Sequence, residues 1–70
     1  MIMNDKTNLL KNWHIEKWGK NVVIIGKVYN DIKGRFTNGT EIHTSNVLKA
    51  DFVNGVVETR NSVYHLDMGD

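Results

Sequence analysis

The sequence predicts an all-β fold, a small antiparallel meander of five to six strands that forms an SH3-like or OB-like barrel. Two observations support this prediction. Short runs of apolar and β-branched residues recur throughout residues 10–66, and such runs, separated by turn residues, are typical of strands. The chain also contains six Gly and no Pro, so glycine and asparagine must form the tight turns between the strands.

The first two strands are predicted after a polar start. Residues 1–9 are expected to form a flexible N-terminal arm. Residues 13–18 alternate in the manner of a half-buried strand, and 19–21 supply turn residues. Residues 22–29 are the most β-prone segment and predict a central strand. Within it, Gly26 indicates a bulge or the close approach of another backbone.

The remaining strands are predicted from the turns that separate them. Residues 30–39 are turn-like and end in Asn-Gly, a strong hairpin signal, and a second Asn-Gly pair occupies 54–55. We therefore expect strands at 40–44, 47–53, 56–59 and 63–66, with a tight turn or bulge at 60–62 and a loose tail at 67–70. The predicted core consists of Trp13, Ile15, Val23, Ile25, Val28, Ile42, Val47, Leu48, Val53, Val57, Val63, Tyr64 and Leu66.

The length predicts one small domain, residues 10–66, that gains stability by self-association. A domain of this size buries only about 60% of the surface of its unfolded chain. The 70-residue chain has no cysteine, which excludes disulfides and cysteine-based zinc sites. Oligomerisation is the other common means of stabilising so small a domain. We therefore expect a homo-oligomer whose subunits cover one another's edge strands.

Charge and hydropathy narrow the classes of function. Nine Lys and Arg against eight Asp and Glu give a formal net charge of +1, whereas nucleic-acid-binding domains usually carry clustered basic residues. No segment approaches the roughly 20 apolar residues of a membrane span, and the N-terminus has no apolar run of the signal-peptide kind. These features predict a cytoplasmic protein that does not bind membranes.

The sequence contains no pattern that predicts catalysis. The three histidines have no metal-ligand spacing. Neither Ser45 nor Ser62 lies in a nucleophile-elbow pattern. The acidic residues alternate with apolar ones, as on the solvated face of a sheet. We therefore expect a protein that is not an enzyme and that uses no metal or cofactor.

Polar and aromatic residues near the predicted strand ends suggest a site for a small anionic, nucleotide-type ligand. Arginine can hold a phosphate in a bidentate manner, an exposed phenylalanine can stack on a base, and hydroxyl and amide groups suit ribose or phosphate oxygens. Each of these residues could instead have a structural role, either by filling one end of the barrel or by forming hydrogen bonds within a turn. The candidate binding residues are Arg35, Phe36, Thr44, Ser45, Arg60 and Asn61.

Most of the chain resembles short phage and prophage proteins. Residues 26–45 carry the pattern G-x-V-x-N followed by R-F-x-[DN]-G-x-x-I-x-T-S, and residues 57–66 carry V-x-T-x-N-S-x-Y-x-L. More loosely, the sequence resembles the β-core of phage anti-defence sponge proteins of the anti-Thoeris type. That resemblance implies capture, without degradation, of a cyclic ADP-ribose-like or cyclic oligonucleotide immune signal. It also implies a pocket between subunits of a homo-oligomer, in the cytoplasm of a bacterial host.

Three hypotheses for the function follow. In the first, Arg35 and Arg60 hold the phosphates of a sequestered nucleotide, Phe36 stacks on its base, and the other candidates bind its oxygens. In the second, the domain is a nucleic-acid-binding module that uses Lys27 and Lys33 together with Arg35 and Phe36. In the third, it inhibits a host defence or transcription enzyme by binding that protein through an exposed Trp18 or an open edge strand.

Overall fold

The computed structural model describes residues 7–69 and contains six strands in a single sheet. This confirms the predicted all-β class. Four strand positions agree closely with the prediction, and β1 begins four residues before the predicted 13–18. Strand β4 ends two residues early because the Asp51 carboxylate accepts hydrogen bonds from the N–H groups of Val53 and Asn54. The strands are β1 (Leu9–Trp18), β2 (Asn21–Tyr29), β3 (Thr40–His43), β4 (Val47–Asp51), β5 (Val56–Thr59) and β6 (Val63–Leu66).

The sheet is mixed, which corrects the prediction of a purely antiparallel meander. Its order is β3-β2-β1-β6-β5-β4. The units β1-β2-β3 and β4-β5-β6 are each antiparallel, but β1 and β6 run parallel, with Leu9 opposite His65 and Leu10 opposite Leu66. The result is a small barrel-like fold whose sheet is not closed between β3 and β4.

A sharp corner between β3 and β4 lets the chain pass from one antiparallel unit to the other. These strands run in the same direction, because each lies two antiparallel steps from the parallel β1–β6 pair. At the corner, the N–H of Thr44 still donates to Ile24 O of β2 (2.9 Å), whereas Asn46 O accepts from Arg60 N after β5 (3.2 Å). One nearly continuous segment therefore pairs with β2 first and with β5 afterwards.

The core lies where the two units face each other. Some predicted core residues are instead exposed: Ile15 (46%), Leu48 (60%), Val53 (91%) and Val63 (46%). Ile15 belongs to the end of the β1–β2 hairpin, which extends beyond the last β1–β6 pair at Leu10. Val53 lies in the β4–β5 turn. The buried cluster comprises Leu10, Ile24, Val28, Ile42, Val57, Tyr64 and Leu66, with Trp13 and Val47 packed against it.

Gly26 is the close-approach position that the sequence predicts. The β1–β2 register shifts between Lys11 and His14, and Asn12, within the shift, has a φ of 53°. A Cβ atom on Gly26 would lie 3.0 Å from the Cβ of Trp13 and 3.2 Å from the carbonyl oxygen of Lys11. The irregularity in β1 therefore depends on the missing side chain in β2.

Asn8 joins β1, β6 and the loop after β2. It is buried, with a φ of 51°, and its backbone N–H and O bond to Asn30 O and His65 N, both at 2.9 Å. Its side-chain amide donates to Val63 O and accepts from Ile32 N, both at 3.0 Å. Asn8 and Leu9 thus belong to the folded domain, although the sequence places them in the arm; residues 1–6 of that arm lie outside the described residues.

Substituting Gly26 tests the packing of β1 against β2. We expect Gly26→Ala to destabilise the protein by about 1–3 kcal/mol, because the new methyl group meets backbone and Cβ atoms that cannot move independently. The melting temperature should then fall by roughly 4 °C or more. Lys27→Ala, at the exposed neighbouring position, is the control. Equal melting temperatures for the two variants would contradict the proposed close approach.

A comparison of two asparagines tests the role of Asn8. Asn8→Ala and Asn12→Ala each put alanine at positive φ, which costs about 1–2 kcal/mol. Only Asn8→Ala also leaves Ile32 N–H and Val63 O without their partner, at about 1–3 kcal/mol for each such group when buried. Chemical denaturation should therefore show the larger loss of stability for Asn8→Ala. A larger loss for Asn12→Ala would show that the side-chain hydrogen bonds of Asn8 contribute little.

Candidate functional site

The loop between β2 and β3 is organised around Asp31. The side chain of Asp31 has no solvent exposure. Its Oδ2 accepts hydrogen bonds from the N–H groups of Arg35 (2.6 Å) and Phe36 (3.2 Å), and its carbonyl oxygen accepts one from Gly34 N–H (2.9 Å). Hydrogen bonds from Arg35, chiefly from its side chain, lower the pKa of Asp31 to about 2. The loop therefore has a defined shape although it contains no strand.

The guanidinium of Arg35 is held in place by this carboxylate. Nη2 lies 3.0 Å from Asp31 Oδ1, and Nε lies 3.3 Å from Oδ2. The guanidinium carbon is 5.2 Å from the centre of the Phe36 ring. Hydrogen bonding to Asp31 is the main cause that raises the pKa of Arg35, and an interaction with Tyr64 raises it further. The side chain is still 35% exposed, so its charge is fixed in position and accessible from solvent.

Hydrogen bonds connect this loop to the corner and to the β5–β6 turn. Lys33 Nζ donates to Asn61 O (3.1 Å), and Asn61 Nδ2 donates to Ser45 Oγ (2.6 Å). Three segments that are distant in sequence thus meet at one surface. We call this surface the rim and define it by the three bonded residues, Lys33, Ser45 and Asn61, and by their neighbours in the same segments, Arg35, Phe36 and Arg60.

Of the six candidate residues, two are in direct contact, three lie near them in the same segments, and one is buried. Ser45 and Asn61 are in direct contact, Phe36 is 36% exposed, and Arg60 is exposed next to Asn61. Thr44 is instead only 1% exposed. Its hydroxyl donates to Ser45 O (2.8 Å) and accepts from Ile24 N (3.0 Å). Thr44 therefore shapes the corner and offers no free donor to a ligand.

The β5–β6 turn that presents Arg60 and Asn61 is formed by Thr59. Its hydroxyl donates to Ser62 O (2.9 Å) and accepts from the N–H groups of Asn61 (3.3 Å) and Ser62 (3.1 Å). Such local bonds are the structural alternative that the sequence leaves open for this segment. Both interpretations apply here, because Thr59 fixes the turn while the side chains of Arg60 and Asn61 stay exposed.

A second polar surface lies on the outer face of the β1–β3 unit. The Trp18 ring, 44% exposed, lies 4.8 Å from the His43 ring, centre to centre. Glu16 accepts a hydrogen bond from Trp18 Nε1 (2.9 Å) and lies 3.0 Å from His14 Nε2. Both bonds lower the pKa of Glu16, and the bond from Trp18 has the larger effect. An open groove of ≈ 420 Å³ beside them is lined by Trp18, Ile25, Glu41, Ile42 and His43.

Neither a metal centre nor a known relative assigns the chemistry of these surfaces. Residues 7–69 bring together no group of three His, Asp or Glu side chains that could hold a metal ion. The same residues include no helix long and apolar enough to cross a membrane. No protein-family model, curated protein or solved structure matches the chain. The residues of the rim are therefore the basis for assigning a function.

The hydrogen bonds to the buried Asp31 carboxylate predict a specific dependence of stability on pH. Because folding lowers the pKa of Asp31 from 3.8 to about 2, its contribution to stability is present above pH ~4 and is lost as the pH falls toward 2. Urea midpoints of the wild type and Asp31→Asn should therefore differ by a constant amount from pH 7 to pH ~4. That difference should shrink between pH ~4 and pH ~2. A difference that does not change over this range would contradict the assigned role.

Proposed function

We propose that the protein binds a small anionic nucleotide at the rim and sequesters it without catalysis. The observation that supports this most directly is the hydrogen-bonded junction of Lys33, Asn61 and Ser45. The loop that carries Lys33 also carries Arg35, whose guanidinium lies over the Phe36 ring. The segments that this junction joins thus carry cationic, amide and aromatic groups. Those are the groups that phosphate, base and ribose require.

Two arginines of the rim supply the phosphate contacts. Arginine has five N–H donors, and Arg35 directs two of its nitrogens to Asp31. The ion pair costs some of the attraction for an anion, but it orients the guanidinium before a ligand arrives, which lowers the entropy lost on binding. Arg60 contributes a second, exposed cation through its side chain, because its backbone N–H is bonded to Asn46 O.

The base and the sugar have separate partners. The exposed part of the Phe36 ring offers a face for stacking, and Arg35 lies over the same ring. The side chains of Ser45 and Asn61 are bonded to each other, and each has hydrogen-bonding capacity left for hydroxyl or phosphate oxygens. Lys33 holds the loop that carries Phe36 against the turn that carries Asn61, through Asn61 O.

The biological setting that we propose is that of a phage accessory protein acting against host defence. The phage-type patterns in residues 26–45 and 57–66 support a role in removing a nucleotide-derived immune signal from the cytoplasm of a bacterial host. Such a role needs affinity and no reaction.

The competing hypotheses have less support from the arrangement of residues. For nucleic-acid binding, Lys27 is opposite Glu41 in the β2–β3 ladder, which offsets its charge, and the net charge is only +1. For inhibition of a host protein, the Trp18 surface offers an aromatic contact, but its contacts with Glu16 and His43 already stabilise it within the chain.

Thermal melting against a ligand panel tests the proposal. The panel contains cyclic dinucleotides, cyclic trinucleotides, cyclic ADP-ribose isomers, and short single- and double-stranded DNA. A ligand at about 100 times its Kd adds roughly 2.7 kcal/mol, which raises the melting temperature of a domain this size by about 10 °C or more. We expect a shift with a cyclic nucleotide and none with DNA. A shift with DNA alone would replace the proposal by the second hypothesis, and no shift with any ligand would contradict it.

The variant Arg60→Ala assigns the binding to the rim. Loss of a charge-assisted hydrogen bond to phosphate costs about 1.5–3 kcal/mol, so Kd should rise by roughly 10- to 100-fold at an unchanged melting temperature of the free protein. Lys20→Ala, which removes one positive charge from the exposed β1–β2 turn, is the matched control and should bind as the wild type does. Equal affinities for all three proteins would show that the ligand binds elsewhere.

A further inference from the structure

Strand β4 forms one end of the sheet and presents apolar residues there. No other strand of residues 7–69 pairs with its outer edge. Its residues from Leu48 to Asp51 are all exposed, and Leu48 is 60% exposed. Phe52 and Val53, which follow the strand, are 44% and 91% exposed. An uncovered edge with apolar side chains is a template for pairing with another strand.

The sequence around this edge is complementary to itself. Residues 47–53 read Val-Leu-Lys-Ala-Asp-Phe-Val, so reversing the segment exchanges apolar with apolar and cation with anion about Ala50. An antiparallel pair centred on Ala50 places Lys49 opposite the partner's Asp51 and Leu48 opposite the partner's Phe52. Two-fold symmetry makes each of these contacts twice.

We propose that a second copy of this chain docks here, through antiparallel pairing of the two β4 strands with Ala50 on the two-fold axis. The pairing joins two six-stranded sheets into one and covers both free β4 edges. It does not depend on nucleotide binding at the rim, since it uses none of the rim residues.

The side-chain directions agree with this register. Lys49 and Asp51 lie opposite Glu58 and Val56 in the β4–β5 ladder, so they point to the same face of the sheet, and a perpendicular two-fold axis keeps them on a common face. Ala50 is opposite Val57, a fully buried core residue. The ion pairs therefore form on the side of the sheet opposite to that of Ala50.

The apolar side of the joined sheet would continue the existing core. The ring of Phe52 stacks on that of Trp13, with centroids 6.1 Å apart and planes 20° apart. Trp13 in turn packs against the buried cluster. The proposed register sets the partner's Leu48 opposite Phe52, at the outer end of this row of side chains.

The other end of the sheet lacks this complementarity. Strand β3 reads Thr-Glu-Ile-His over 40–43, which offers an acidic residue but no lysine or arginine to oppose it. An antiparallel pair centred on Ile42 would set Glu41 opposite the partner's His43, but the His43 ring already packs against Trp18. The charge pattern therefore selects β4 over β3 as the edge that meets a second copy.

Substitution on the two-fold axis tests both the edge and the register. Directly opposed residues have Cβ atoms about 4.5–5.5 Å apart, so Ala50→Lys and Ala50→Glu would each place two like charges face to face. We expect the wild type to be dimeric and each variant monomeric in size-exclusion chromatography with light scattering over a concentration series. An equimolar mixture of the variants should form dimers again, because the introduced lysine of one chain then meets the introduced glutamate of the other.

Controls separate loss of the interface from loss of the fold. Far-ultraviolet circular dichroism should be the same for the wild type and both variants, because position 50 is exposed. Lys20→Glu, in the exposed β1–β2 turn, changes the charge elsewhere and should stay dimeric. A monomeric wild type, variants that still dimerise alone, or a mixture that stays monomeric would each overturn the proposal.

Discussion

The parallel pairing of β1 with β6 is the contact on which the rest of the structure depends. It consists of only two opposed residue pairs, yet it joins two antiparallel three-stranded units into one sheet. Leu10 and Leu66, one of those pairs, are core residues with 0% and 4% exposure. Hydrogen bonds from Asp67 N to Leu10 O and from His65 N to Asn8 O lengthen the contact at both ends. Because the chain has no cysteine, only the backbone at the β3–β4 corner links the two units covalently if this contact, the seam, opens.

The need to satisfy buried polar groups also explains where polar side chains stay exposed. The seam and the corner use buried polar side chains as structural partners, because a buried backbone group without a hydrogen bond is costly. The side chains of Asn8 and Thr44 form hydrogen bonds to such backbone groups. The β2–β3 loop, the corner and the β5–β6 turn then meet at the rim, where cationic and amide side chains keep part of their surface. The residues of the proposed binding site thus lie where these three segments meet at the surface.

The sequence predicts the strands well because each is bounded by a turn that contains Gly or Asn. The position of Gly26 within a β-prone segment also predicts that another backbone, that of β1, approaches closely there. It does not predict the parallel seam, since two residue pairs leave no periodic signal. The sequence does not predict the exposure of Ile15 for a related reason. The alternation of apolar and polar residues shows which face of a strand is apolar, but not whether another strand covers that face. The candidate site is predicted from residue type, whereas its geometry depends on Asp31, which bonds to Arg35 within the loop, and on Lys33, which bonds across to the β5–β6 turn. The burial of Asn8 is not predicted either, because in the sequence it lies among polar residues at the start of the chain.

Native-state hydrogen exchange, resolved by residue, tests most directly whether the seam holds the two units together. The amides of His65 and Asp67 cross the seam to Asn8 O and Leu10 O, and the amide of Thr44 reports on the corner through Ile24 O. If the sheet unfolds as one unit, all three amides exchange with the free energy of global unfolding. Rapid exchange at His65 and Asp67, with Thr44 still protected, would show that the two units separate while remaining folded, and would contradict the account.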